Sequence, residues 1–113
     1  MHVDVRKTDD VVVVDLEGQL VAGTGSDLLH EVMNELLGRG WPKILLNLEK
    51  VGRIDSSGVG ELVASIKLGE RVGTAVKLVQ GRGKVHDVLD ISHILPLLDM
   101  YSSEEEALAS FAD

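Results

Sequence analysis

Residues Lys43–Leu48 read KILLNL, short and nearly all apolar, the pattern of a strand covered on at least one face. What flanks this run decides the fold. Upstream, Leu28, Leu29, Val32, Met33, Leu36 and Leu37 recur at three- and four-residue steps, the spacing of an amphipathic helix. Thr24 or Ser26 is placed to cap it, and Gly38 or Gly40 to end it. Before that helix, His2–Lys7 alternates and Val11–Leu16 reads VVVVDL, so two strands joined through Asp9-Asp10 form a hairpin that Gly18 breaks. Downstream, Leu62, Val63 and Ile66 continue a helical pattern from Val59 to Gly73, and TAVKLV (Thr74–Val79) is a fourth strand. Val85, Val88 and Leu89 mark a short third helix, and Leu97–Tyr101 a last short strand. Ser103 and Glu106 have the spacing of a capping box for a C-terminal helix through Ala107, Leu108 and Phe111.

Strands alternating with helices require crossover connections and so a largely parallel sheet. The expectation is one α/β domain spanning residues 1–113, in ββαβαβαβα order, with a mixed, mostly parallel sheet and about four helices. A chain of 113 residues buries roughly two-thirds of the surface its unfolded form exposes, enough for one core. With only three aromatic residues, Trp41, Tyr101 and Phe111, that core is aliphatic.

Charge and composition exclude several functions. A net charge of −8 repels phosphate backbones and anionic membranes, so nucleic acid is not expected as a partner. The absence of cysteine removes disulfides and thiolate metal sites. No apolar run has the length of a signal peptide or a membrane span, which points to a cytoplasmic protein without membrane insertion.

Enzyme motifs fail on spacing. Gly52 lies four residues before Ser56, so the G-x-S-x-G elbow of serine hydrolases is not formed. His2, His30, His86 and His93 fall in different predicted elements and define neither a triad nor a metal motif. Asp15, Glu17, Asp55 and Glu61 are likewise dispersed. Gly83-Lys84 has Leu78 where a P-loop needs its first glycine, and Gly58-Val59-Gly60 lacks the third glycine of a dinucleotide fingerprint. No catalytic residue, metal or cofactor is expected.

What remains is RIDSSGVGELV (Arg53–Val63) at the junction of the third strand and the second helix. Asp55, Ser56 and Ser57 are good helix N-caps, because their oxygens accept from the unpaired N–H groups of the first turn. The same N–H groups favour an anion, so a phosphate on a serine there leaves the domain folded while adding roughly −2 of charge to its surface. On a helical wheel Val59, Leu62, Val63 and Ile66 face inward, and Ser57, Gly60, Ala64 and Leu68 outward, with Ser57 the more exposed serine. The small outward residues suit either close contact with a partner or packing against a neighbouring helix.

Gly18-Gln19-Leu20, ILLNLEKVGRIDSSGVGELV (Ile44–Val63), VKLV (Val76–Val79), VHDVLDISHI (Val85–Ile94) and SSEEEALASF (Ser102–Phe111), in this order, resemble a STAS domain. More narrowly the chain resembles the bacterial anti-sigma-factor antagonists, over nearly its whole length. The resemblance implies binding to an anti-sigma factor that is also a serine kinase, which frees the sigma factor. It further implies phosphorylation of Ser56, the first serine after the aspartate, which abolishes binding until a PP2C-type phosphatase reverses it. Asp55, Ser57, Gly58, Val59, Gly60, Arg53 and Ala64 then form the surrounding contact surface. Two positions depart from the family pattern. Val21 stands where G-x-L-D relatives carry aspartate, removing a polar contact to the kinase or leaving it to another residue. Arg53 stands where relatives are often apolar, a basic group able to hold a phosphate or meet an acidic partner. The alternative within the same fold is a constitutive scaffold subunit, for example of a lipid-transport complex, with Ser56 acting only as a cap.

Overall fold

A computed structural model of the chain describes residues 1–81 and 83–112. Strands β1 (His2–Thr8) and β2 (Val11–Leu20) form the antiparallel hairpin, turning through Asp9 in a left-handed conformation that aspartate tolerates. Then follow α1 (Gly25–Gly38), β3 (Lys43–Ile54), α2 (Ser56–Val72), β4 (Ala75–Val79), α3 (Lys84–Ile91), a 3-10 turn (Leu95–Leu97), β5 (Met100–Tyr101) and α4 (Glu104–Phe111). The five strands lie side by side in sequence order, and β2 through β5 run parallel. The expected ββαβαβαβα order and mixed sheet are therefore the observed ones.

Alternation along the strands builds two cores. Val12, Val14, Leu16, Ile44, Leu46, Leu48 and Leu78 share one cluster with Leu29, Met33 and Leu36 of α1, Leu62 of α2, and Val85 and Leu89 of α3. Val11, Val13, Leu45 and Val79, from the intervening positions, pack with Ala107 and Phe111 of α4. A strand covered on both faces has no wet side, which is why VVVV and ILL are unbroken apolar runs. The second layer is thin. Polar contacts help hold α4 against the sheet: Arg6 bridges Asp15 (Nε to Oδ2, 2.6 Å) and Glu104, and Lys77 Nζ reaches Ser110 Oγ at 2.8 Å and lies 4.7 Å from the centre of the Phe111 ring.

Several boundaries differ from the sequence reading. Gly18 does not end β2. At φ +115° it accompanies a register shift beside β3, and the strand runs on to Leu20. β3 likewise extends six residues beyond Leu48, to Ile54, so Leu20 and Ile54 stand opposite one another where both strands stop. Thr24 occupies the cap position of α1 without a side-chain cap bond, and Ser26 is buried inside the helix. At α4 Ser103 accepts from the Glu106 N–H at 3.1 Å, but the Glu106 carboxylate bonds the Ser102 hydroxyl, so the capping box is half formed.

The two cores make separable predictions. Leu46→Ala, at a fully buried site of the main core, should cost about 2–5 kcal/mol in a denaturant titration. Phe111→Ala should cost about 3–5 kcal/mol; a loss below about 1 kcal/mol would mean that α4 is not a packed layer.

Candidate functional site

The side-by-side ends of β2 and β3 place one carboxylate at a crossing of three segments. Asp55 leaves the sheet in an extended conformation, its N–H donating to the Leu20 carbonyl at 3.3 Å. Its Oδ1 accepts from the Gly58 N–H at 3.0 Å, capping α2, and its Oδ2 accepts from the Ala22 N–H at 3.0 Å, pinning the loop between β2 and α1. These N–H groups, Ala22 first and then Gly58, hold the carboxyl below the ordinary carboxylate range; the Ser57 N–H and the charge of Arg53 add to the effect.

This geometry corrects the reading of the serines as caps. Asp55 does the capping, and Ser56 and Ser57 are the first two helical residues, both exposed. Neither hydroxyl bonds another described residue. Two N–H groups at the head of the helix are also taken: that of Gly58 by the Asp55 carboxylate and that of Val59 by the Asp55 carbonyl oxygen, each at 3.0 Å.

The buried face of α2 is also turned from the expected one. Gly58, Leu62, Ser65 and Gly69 are buried, whereas Val59, Val63 and Ile66 are half-buried. At 100° per residue the buried face lies about 80° from the predicted one. The cause is close approach. A side chain at Gly58 would overlap the Leu20 carbonyl oxygen, and one at Gly69 would press on Val76 and the Thr74 carbonyl, so small residues occupy the line nearest the sheet. Val59, Ile66 and Leu68 fill the flanks of that line against the main core, so Leu68 is not a free outward residue. With the face corrected, Ser56 falls about 150° from its centre and Ser57 about 110°, reversing their expected order. Ser56, Gly60, Ala64 and Lys67 form the exposed stripe.

The expected site residues therefore divide. Ser56, Ser57, Gly60, Ala64 and Arg53 are exposed around the head of α2, and Asp55 and Val59 are partly so. Gly58 is buried and acts by letting the helix touch β2 rather than by offering surface. Val21 is half-buried, and its carbonyl accepts from the Ser26 N–H at 3.1 Å; the neighbouring Ala22 N–H donates to Asp55. One cluster escaped the sequence. His30 Nδ1 lies 3.0 Å from Glu61 Oε1, and its Nε2 3.0 Å from Asn34 Nδ2, tying α1 to α2. Only the His30–Asn34 step of four had a sequence signal; the 31 residues between His30 and Glu61 carry none. A concavity of about 500 Å³ lies elsewhere, on β1, β2 and β3, lined by charged residues including Asp4, Arg6, Asp15 and Lys50. Among the described residues no group of histidines and carboxylates has the arrangement of a metal site, and no helix is long and apolar enough to cross a membrane.

Comparison with known proteins connects this geometry to a family. The sequence model of the STAS domain matches residues 2–107. The anti-sigma F factor antagonist of Paenibacillus polymyxa is 28% identical over 109 residues, covering 96% of this chain and 92% of that protein. The crystal structure of a candidate anti-sigma factor antagonist from Thermotoga maritima superposes with a TM-score of 0.89 at 28% identity, covering 98% and 95% of the two chains. The anti-sigma factor antagonist SpoIIAA in its unphosphorylated form shares the fold at a TM-score of 0.81 and 24% identity, covering 98% and 96%.

Two glycines of one helix turn should respond oppositely. Gly58→Ala forces the helix off β2 and should cost about 1–3 kcal/mol. Gly60→Ala, with open space around its new methyl group, should stabilise by about 0.5–1 kcal/mol. Asp55→Ala should lower the melting temperature at neutral pH. Because the folded state depresses the Asp55 pKa, its contribution is present above the ordinary carboxylate range and is lost as pH falls through the folded value. The gap to wild type should narrow on acidification; a gap independent of pH would remove the charge from the account.

Proposed function

This chain belongs to the STAS domain family, and from that membership we propose that it is an anti-sigma factor antagonist switched off by phosphorylation of Ser56. In the unphosphorylated form the exposed head of α2, with Ser56, Ser57, Gly60, Ala64 and Arg53, docks on an anti-sigma factor that is also a serine kinase, and the sigma factor is released. The kinase transfers phosphate to Ser56, and a PP2C-type phosphatase removes it. The protein itself works by binding, in the cytoplasm, and catalyses nothing.

The observation that carries this reading is the division of labour between Asp55 and Ser56. Because Asp55 alone caps the helix, the Ser56 hydroxyl is exposed, without a hydrogen bond to any described residue, and free to be modified without loss of the fold. A helix-capping hydroxyl would be occupied and shielded. A phosphate on this outward position adds about −1.5 to −2 of charge and three acceptor oxygens beside the small residues Gly60 and Ala64. That is enough to exclude a close-fitting partner. Ser56 is not the helix cap, since the cap is Asp55, and a constitutive scaffold would bind its partner whatever the state of Ser56.

Incubation with a cognate anti-sigma factor kinase and ATP should label one tryptic peptide at Ser56. Ser56→Ala should abolish labelling and keep binding, and Ser56→Asp should weaken binding at least tenfold by calorimetry. Equal affinity of the kinase for the phosphorylated and unphosphorylated proteins would refute the switch.

A further inference from the structure

A phosphate on Ser56 meets a helix already capped by a carboxylate, that of Asp55. The Gly58 N–H donates to the Asp55 carboxylate and the Val59 N–H to its carbonyl oxygen, each at 3.0 Å, so two donors at the head of α2 are taken before a second anion arrives. The new charge also arises next to Asp55, in a chain that is already at −8. Like charges this close repel unless a cation stands between or beside them.

Arg53 is that cation. It is the second-last residue of β3, exposed, and engaged in no ion pair or side-chain hydrogen bond with another described residue. Ile54, between it and Asp55, is buried in the main core, whereas Arg53 is exposed and Asp55 partly so. Its charge already acts on the Asp55 carboxyl. That carboxylate, held by backbone N–H groups, makes no ion pair with it. Three residues span at most about 11 Å between Cα atoms, less where a strand turns into a helix, which is within the joint reach of an arginine and a phosphoserine.

We propose that Arg53 closes on the phosphate of Ser56 in an intramolecular ion pair, a contact that rests on Ser56 being the modified residue, and that this pair shields the phosphoester from the phosphatase. The planar guanidinium suits two phosphate oxygens at once, which a lysine ammonium matches only as a point charge. Arg53 is thus a positioning residue of the off state, idle until phosphate arrives.

The test needs no kinase. The full chain is made with phosphoserine encoded at position 56, as wild type, Arg53→Gln and Arg53→Lys, and the phosphate is titrated by phosphorus NMR. Its second ionisation, ordinarily near pH 6, should fall lower in wild type than in Arg53→Gln by about half a unit, a threefold change in proton affinity. Arg53→Lys should lie between, and about 1 M salt should close the gap. A PP2C-type phosphatase should release phosphate from Arg53→Gln severalfold faster. Identical titration of wild type and Arg53→Gln, at matched melting temperatures, overturns the ion pair. Binding of the same phosphorylated protein to the anti-sigma factor kinase reports separately on the switch. Lost binding with unchanged titration removes Arg53 and leaves Ser56 as the switch; retained binding removes the switch whatever Arg53 does.

Discussion

One carboxylate at the end of β3 organises the surface on which the rest of this protein's behaviour turns. Asp55 accepts from Ala22 in the loop after β2 and from Gly58 in the first turn of α2, while its own N–H prolongs the pairing of β2 and β3. The junction of β3 with α2 and a loop 33 residues away are thereby fixed by a single ionised group. Such a bond is stronger than one between neutral partners, because the anion meets N–H dipoles arranged around it before it arrives. The consequence for function is indirect. By taking the cap, Asp55 relieves the following serine of any structural duty.

The sheet beneath explains why that junction is rigid. Parallel strands buried on both faces leave their chemistry to the loops at their carboxyl ends, where the helices begin. Here β2 and β3 end together at Leu20 and Ile54, and α2 is drawn against them by the missing side chain of Gly58. Closeness of helix to sheet and exposure of Ser56 are thus two results of one arrangement. A bulkier residue on the buried line would lift the helix and carry the serine with it.

Much of this was legible in the residues. The unbroken apolar run of KILLNL marked a strand covered on at least one face, the helical patterns and the capping signal placed four helices, and D-S-S-G-x-G marked the junction. The errors have physical causes. Gly18 was read as a strand end because a glycine in isolation cannot tell a bulge from a stop. The face of α2 was misjudged because apolar size was taken as depth. Where a helix lies very close to a sheet, the buried line takes the small residues Gly58, Ser65 and Gly69 beside Leu62, and Val59, Ile66 and Leu68 sit at the flanks. The His30–Glu61 contact had no local signal, since only the packing of α1 on α2 brings the two together.

The sequence by itself determined the element order, the layering of the core and the residues gathered at the head of α2. These follow from periodicity, which is a property of neighbours along the chain. Which residue caps the helix, which serine lies farther from its buried face and which cation stands unpaired beside it among the described residues were decided only by the tertiary structure. Asp, Ser and Ser have nearly equal claims as caps in an isolated segment. The Ala22 N–H, brought in from 33 residues away, supplies the second donor that gives Asp55 the place.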